Sequence, residues 1–395
     1  MSDTMLMALF ALSASLVIYH HIGYPLLLAW YAKNHPVNTP RHANRGFKAQ
    51  KEDDQCASIT ILVPAYNEQA WIAEKIRNLA CLDYPKHTYQ VMILCDGCTD
   101  DTVHIAQQTV QEAICADTHF EIKNFATNRG KVAVLNEQIP LVTTQLTALS
   151  DVSAIISVDA LILANTHFQN SQVGVVNGHY QLFGSQHQGE NRYWQYQTKV
   201  KQQEVSLGST LGAHGAFYLF RTSLFDSLDE NTINDDFILP MRIVKKGYQA
   251  VYEPELVALE LEPTDPDSDF KRRLRISAGN MQQVIQLADM LLPKYRGVAF
   301  AFLSGKGLRL ATPYLLIVCF ITALLLASYP LFSLALFVQC LLYTTAVLSY
   351  LFPILFRHKV CKVMLYVVMG HYANFVGGLR YLCGVGAKGW TGQNQ

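Results

Sequence analysis

Charge is scarce in this chain. Only 16% of its 395 residues are Asp, Glu, Lys or Arg, and 31 basic residues balance 31 acidic ones. Without net charge there is no bulk field to draw it to nucleic acid. The phosphate-cradling patterns GxGxxG and GxxxxGK[ST] are also missing, so neither a dinucleotide fold nor a P-loop is indicated. The cysteines (Cys56, Cys81, Cys95, Cys98, Cys115, Cys319, Cys340, Cys361 and Cys383) are odd in number and lack ladder spacing. That argues against a disulfide scaffold and for a reducing compartment. No Lys or Arg precedes the first apolar stretch, 5–32, and its length argues against a cleaved signal peptide.

What the chain has in place of charge is hydrophobic length. Half of its residues are hydrophobic. The stretch 5–32 exceeds the roughly 20 helical residues needed to cross a hydrocarbon core. His20 and His21 fall inside it and are expected to face a protein neighbour or the interface. Lys33, Arg41, Arg45, Lys48 and Lys51 follow, which places what comes next in the cytoplasm by the positive-inside rule. Two more spans, 310–327 and 331–352, are joined by the tight turn Ser328-Tyr329-Pro330. Arg357, His358, Lys359 and Lys362 return the chain to the cytoplasm. The segment 363–383 is read as a third C-terminal span packed through Gly370, Gly377 and Gly378, with an interfacial helix as the other reading. The expected layout is a first span at 1–32, a polar linker at 33–56, a soluble domain at 57–269, interface helices at 270–309, two to three spans at 310–385 and a tail at 386–395.

The soluble domain reads as α/β. Short β-branched runs at 58–65 (SITILVPA), 89–95, 120–125 and 146–149 alternate with helical periodicity at 69–82, 102–113 and 131–138. Strand–helix–strand with short links predicts a parallel sheet. Ligands then bind at the carboxyl ends of the strands. Those ends carry Pro64-Ala65-Tyr66-Asn67-Glu68, Asp96-Gly97-Cys98-Thr99-Asp100-Asp101, Asn128-Arg129-Gly130-Lys131 and Ser150-Asp151-Val152-Ser153. An Asp fixed there can accept from a base or ribose, another can hold a divalent cation on a diphosphate, and a Lys at a helix start can meet phosphate oxygens. Farther on, Asn234-Asp235-Asp236-Phe237 places two carboxylates ahead of an apolar run. They either favour a helix N-terminus or supply a base.

In order, VPAYNE, CDGCTDDT, NRGKVAVLN, SDVS, the Gly212-Ala213-His214-Gly215-Ala216 segment, NDDF and RRLRI resemble the family 2 glycosyltransferases. The likeness is to the membrane-embedded branch that includes cellulose, hyaluronan and poly-N-acetylglucosamine synthases. It covers about 58–286. It implies a GT-A (Rossmann-like) catalytic domain with transmembrane helices, in the cytoplasmic (inner) membrane. The implied enzyme is an inverting hexosyltransferase using a UDP-sugar and Mg²⁺ or Mn²⁺ to extend a glycan of an exopolysaccharide or cell envelope, with other synthase subunits as candidate partners. A polyprenyl-phosphate sugar transferase and an inactive scaffold subunit are the alternatives.

The resemblance also assigns residues. Asp236 becomes the catalytic base, with Asp235 in support. Pro64, Tyr66, Glu68, Asp96, Lys131, Asp151, Arg272 and Arg275 line the nucleotide-sugar, and Asp151 meets the metal. Gly212, His214 and Gly215 line the acceptor. Two departures stand out. The family's DxD reads Asp151-Val152-Ser153, leaving one acid. Its QxxRW reads Arg272 through Ile276, keeping Arg275 but losing the aromatic that holds an acceptor sugar, which puts long-chain polymerisation in doubt. Plainer readings remain: helix capping for Asp100 and Asp101, a polar packing role for His214, lipid attraction for Lys271–Arg275, and a core role for Trp194.

Overall fold

The computed structural model describes residues 2–37, 48, 53, 55–184, 188–262 and 266–384. Arg41, Arg45, Lys51 and the tail 386–395 lie outside them. The described residues form two compact units.

One unit contains the described residues of 1–33, 187–192 and 265–386. It opens with α1 (Asp3–Ile18) and α2 (Tyr24–Asn34), joined by a π-helical turn, Tyr19–Gly23. The other unit contains the described residues of 34–186 and 193–264 and is built on an eight-stranded sheet. Its first half alternates strand and helix as the sequence predicts: β1 (Ile59–Ala65), α3 (Ile72–Ala80), β2 (Tyr89–Asp96), α4 (Thr102–Thr109), β3 (His119–Phe125), α5 (Lys131–Gln138) and β4 (Leu146–Ser150). These four strands are mutually parallel, in the order β3-β2-β1-β4. Ile59, Ile61, Leu62 and Val63 are fully buried, as befits a central strand covered on both faces. Helix α3 packs Ile72, Ile76 and Leu79 inward at helical spacing.

The second half adds β5 (Ala154–Ile156), α6 (Ala160–Phe168), β6 (Val173–Leu182), α7 (Gln188–Glu204), β7 (Phe217–Arg221), α8 (Asp235–Lys245) and β8 (Gln249–Glu260). Strand β7 pairs antiparallel with both β4 and β6, so the sheet is mixed rather than wholly parallel. Ser150 lies opposite Phe217, which sets the segment before β7 beside the end of β4. The Asp151 N–H donates to the Ala216 carbonyl at 3.2 Å.

The first unit continues with α9 (Pro266–Gln286), α10 (Arg296–Ala301), a second π-helical turn (Phe302–Gly307), α11 (Leu308–Leu325), α12 (Pro330–Leu351) and α13 (Lys359–Leu382). Among the described residues, four helical stretches are long and apolar enough to cross a membrane: Asp3–Asn34, Pro293–Leu325, Pro330–Leu351 and Lys359–Leu382. Gly377 and Gly378 let α13 pack closely. A Cβ at Gly377 would come within 2.6 Å of the Ser277 Cβ, and one at Gly378 within 2.9 Å of the Tyr314 hydroxyl.

Candidate active site

Parallel order puts the carboxyl ends of β1, β2 and β4 along one edge, and the polar loops meet there. The Asn67 side chain ties the first loop to the second, accepting from the Thr99 N–H at 2.8 Å. Asp100 accepts from the Thr102 N–H and hydroxyl at the head of α4, whereas Asp101, the N-cap residue, makes no side-chain capping bond.

Asp96 is 4% exposed, and its carboxylate accepts from the Arg129 N–H at 3.0 Å and the Gly130 N–H at 2.7 Å. It therefore clamps the loop that leads into Lys131, and only its remaining lone pairs face other donors. Gly97, at φ +67°, sits against that same loop, and a Cβ there would fall 2.2 Å from the Asn128 backbone nitrogen. Backbone cannot swing aside as a side chain can. The UDP expected from the sequence should then bind Gly97→Ala at least about tenfold more weakly than the wild type, which is the effect of about 1.4 kcal/mol. Calorimetric titration checks this, and wild-type affinity in the variant would show that the two loops move independently.

Lys131 opens α5, and its ammonium lies 2.9 Å from Asp151 Oδ1 and 3.5 Å from Asp235 Oδ2. Burial works to lower its pKa. The charges of Asp151 and Asp235, the hydrogen bond to Asp151 and the charge of Asp236 outweigh burial and hold it above the ordinary lysine value. Asp235 and Asp236 occupy the first turn of α8 behind the N-cap Asn234. A helix-favouring role and a chemical one are thus compatible.

Asp236 Oδ2 accepts from the Gly215 N–H at 3.1 Å, and its backbone carbonyl accepts from the Ala213 N–H at 2.8 Å. Burial first, then the neighbouring charge of Asp235, raises its pKa to about 6, with Asp151 adding to the rise and Lys131 and Lys201 opposing it. Gly215 is the point of convergence. A Cβ there would stand 3.1 Å from Asp151 Oδ2 and 3.6 Å from Asp236 Oδ2. Glycine leaves that space open. Gly212, at φ +64°, meets Phe237 where a Cβ would be, at 2.3 Å.

The remaining sequence-derived residues fall out as follows. Glu68 follows β1, and burial followed by the charges of Glu262, Asp151, Glu260 and Asp100 raises its pKa to about 8. Pro64 and Tyr66 flank the end of β1, both half-buried. His214 stacks on Tyr180, with centroids 3.7 Å apart, and meets the edge of Trp194 at 5.0 Å. Trp194 is thus packed against a residue of the site segment. Arg272 and Arg275 belong to the other unit, on α9, where Arg273 stacks on Tyr366.

Lys75 is not singled out by the sequence, where it reads as one polar position of an amphipathic helix. It is fully buried, donates to Ser150 Oγ at 2.6 Å and to the Ala154 carbonyl, and so pins both ends of the Asp151–Ser153 segment. Burial lowers its pKa to about 7, against the charges of Asp151 and Glu260. Tyr218 carries no sequence signal either. It is fully buried on β7, and burial followed by the charges of Asp235, Asp236 and Asp151 raises its pKa.

Among the described residues, no group of three or more His, Cys, Asp or Glu side chains is arranged to hold a metal ion. Asp151 Oδ1 is engaged by Lys131, while Oδ2 opens toward Gly215 with no donor among the described residues. One carboxylate oxygen suits a hard cation whose other ligands are diphosphate oxygens and water. The donor set fits a metal that arrives with a diphosphate.

A family model described as glycosyltransferase-like family 2 matches residues 57–279. A β-monoglucosyldiacylglycerol synthase of a Nostoc species is 26% identical over 286 residues, 70% of this chain and 59% of that protein. A poly-β-1,6-N-acetyl-D-glucosamine synthase of Staphylococcus epidermidis is 24% identical over 251 residues, 62% of this chain and 59% of that protein. The matches thus span about three fifths of these relatives' length. The mannosyltransferase PcManGT of Pyrobaculum calidifontis, solved with GDP-mannose and Mn²⁺, shares the fold. Its TM-score is 0.68 at 21% identity, over 93% of this chain and 99% of that one.

Proposed function

This chain belongs to glycosyltransferase family 2, and we propose that it is a membrane-bound inverting glycosyltransferase that moves a sugar from a UDP-sugar to a glycan acceptor. The reading sets the reaction at the cytoplasmic face of the inner membrane, in exopolysaccharide or envelope glycan synthesis. The observation that carries it is the convergence of Asp151 Oδ2 and Asp236 Oδ2 on the space above Gly215, with Lys131 beside them.

In this reading Asp236 takes the proton of the acceptor hydroxyl as that oxygen bonds to the anomeric carbon. The bond from that carbon to the diphosphate oxygen breaks, and the electron pair leaves with the nucleoside diphosphate. A base with a pKa near 6 is mostly ionised at neutral pH and still basic enough to accept a proton. Lys131, at the head of α5, sets positive charge and helix N–H groups where the diphosphate collects negative charge. Asp151 would hold the divalent cation, which when bound offsets further charge on the leaving group. The Gly215 N–H keeps the base aimed.

A second acceptor class is favoured by one observation. The position that holds an acceptor-stacking Trp in the processive synthases is Ile276 on α9. A lipid acceptor, such as a polyprenyl phosphate, needs no such platform.

Nucleoside diphosphate release by the purified, detergent-solubilised protein tests the reading. A panel of UDP- and GDP-sugars with Mg²⁺ or Mn²⁺ is offered and the product sized in the same tubes. Metal-dependent UDP release is expected. A mild-acid-labile lipid-phosphate sugar would assign the second acceptor class. Absence of release from every donor, together with no UDP binding by calorimetry, would overturn the transferase reading.

A further inference from the structure

The membrane unit holds a polar cluster that the transfer chemistry does not use. Its two π-helical turns, Tyr19–Gly23 and Phe302–Gly307, meet each other. Such turns make up well under about 1% of residues and gather at functional positions, so two in contact call for a reason. The Ser304 carbonyl lies 2.9 Å from His20 Nδ1, and the Tyr19 hydroxyl pairs with Ser304 Oγ at 3.0 Å. A carbonyl partner requires His20 to donate from Nδ1, which leaves Nε2 to face elsewhere.

Two further imidazoles adjoin it. The His21 ring lies 4.8 Å from that of His20, and His371 of α13 meets His21 edge-on at 5.5 Å. Helix α13 is held in register here by Asn374, whose side-chain amide donates to the Arg309 carbonyl at 2.9 Å. Through that carbonyl Arg309 is tied to the turn of α13 that follows His371. His21 is exposed, and the flanking Ile18, Ile22 and Leu26 are exposed as well.

Ionisable side chains on such apolar helices are costly and mark function by default. Three imidazoles and a guanidinium repel one another as they gain charge, and an anion among them reverses that sign. An exposed apolar rim beside imidazole and guanidinium N–H donors suits a molecule with an anionic head and hydrocarbon tails. We propose that His20, His21, His371 and Arg309 bind the phosphate of a membrane lipid whose acyl chains lie along Ile18, Ile22 and Leu26. This inference does not rest on the transfer reaction and stands or falls separately from it.

The test uses the purified full chain in mild detergent, titrated with phosphatidylglycerol, phosphatidylcholine or inorganic phosphate. Native mass spectrometry counts bound lipid, and thermal melting reads the stabilisation. The expected result is a stoichiometric phosphatidylglycerol adduct that raises Tm. It should bind at least about tenfold more weakly in His21→Leu and His371→Leu, the loss of about 1.4 kcal/mol. Phosphatidylcholine binding equally well, or both variants retaining wild-type affinity, overturns the proposal. Inorganic phosphate reproducing the shift at equal concentration overturns the lipid source. If either leucine variant fails to elute as a single species, the matching glutamine substitution, which keeps polarity but cannot gain charge, decides in its place.

Discussion

Asp236→Asn is expected to slow sugar transfer by about 10²–10⁴-fold, the range that a positioned general base contributes. UDP affinity measured by calorimetry should stay near that of the wild type. Asparagine keeps the shape of the side chain, and its amide oxygen can still accept from the Gly215 N–H. What it cannot do is take the acceptor's proton. The wild-type pH profile supplies a second check. With Asp236 as the proposed base and its pKa raised to about 6, activity should be present above that value and be lost as pH falls through it. In the Asn variant the residual rate should show no such acidic limb. An Asn variant that transfers as fast as the wild type would remove Asp236 from the mechanism.

Lys131→Met should be nearly as damaging. The ammonium is 2.9 Å from Asp151 and 3.5 Å from Asp235, and it also lowers the pKa of Asp236. Its removal has two consequences of different kinds. The leaving diphosphate loses a fixed positive charge, worth about 10²–10³ in rate where one preorganised stabilising group is deleted. The three carboxylates also lose their shared counter-charge, so the pKa of Asp236 climbs and the acidic limb of the profile moves above about pH 6. Steady-state kinetics across pH separates the two effects. Lower kcat/KM at every pH reports the first, and displacement of the limb reports the second. A limb that stays in place while the rate falls would show that Lys131 serves the diphosphate alone.

Much of the site is legible in the chain's local patterns. Asp96, Lys131 and Asp151 each follow a strand whose β-branched run is easy to read, and in a parallel sheet those ends share one edge. The acid pair Asp235-Asp236 is legible because an apolar helical run follows it directly. The antiparallel strand β7 is not. Its five residues, Phe217–Arg221, are too short to carry a clear period, and its pairing partner Ser150 lies far away in sequence. Lys75 illustrates the same limit at one side chain. Nothing local marks it as buried, and its burial becomes explicable only once Ser150 and Ala154 are seen beside it.

The sequence by itself determined the α/β half-sheet, the apolar helices and the identity of the acids, because helical and strand periods and turn chemistry are local properties. Only the tertiary structure decided that Asp151 and Asp236 point at the same empty space above Gly215, that Asp96 holds the loop ahead of Lys131, and that His214 stacks on Tyr180. Those outcomes depend on the register of β4 against β7 and on the docking of α8. Register and docking arise from packing between residues far apart in the chain, which no local pattern encodes.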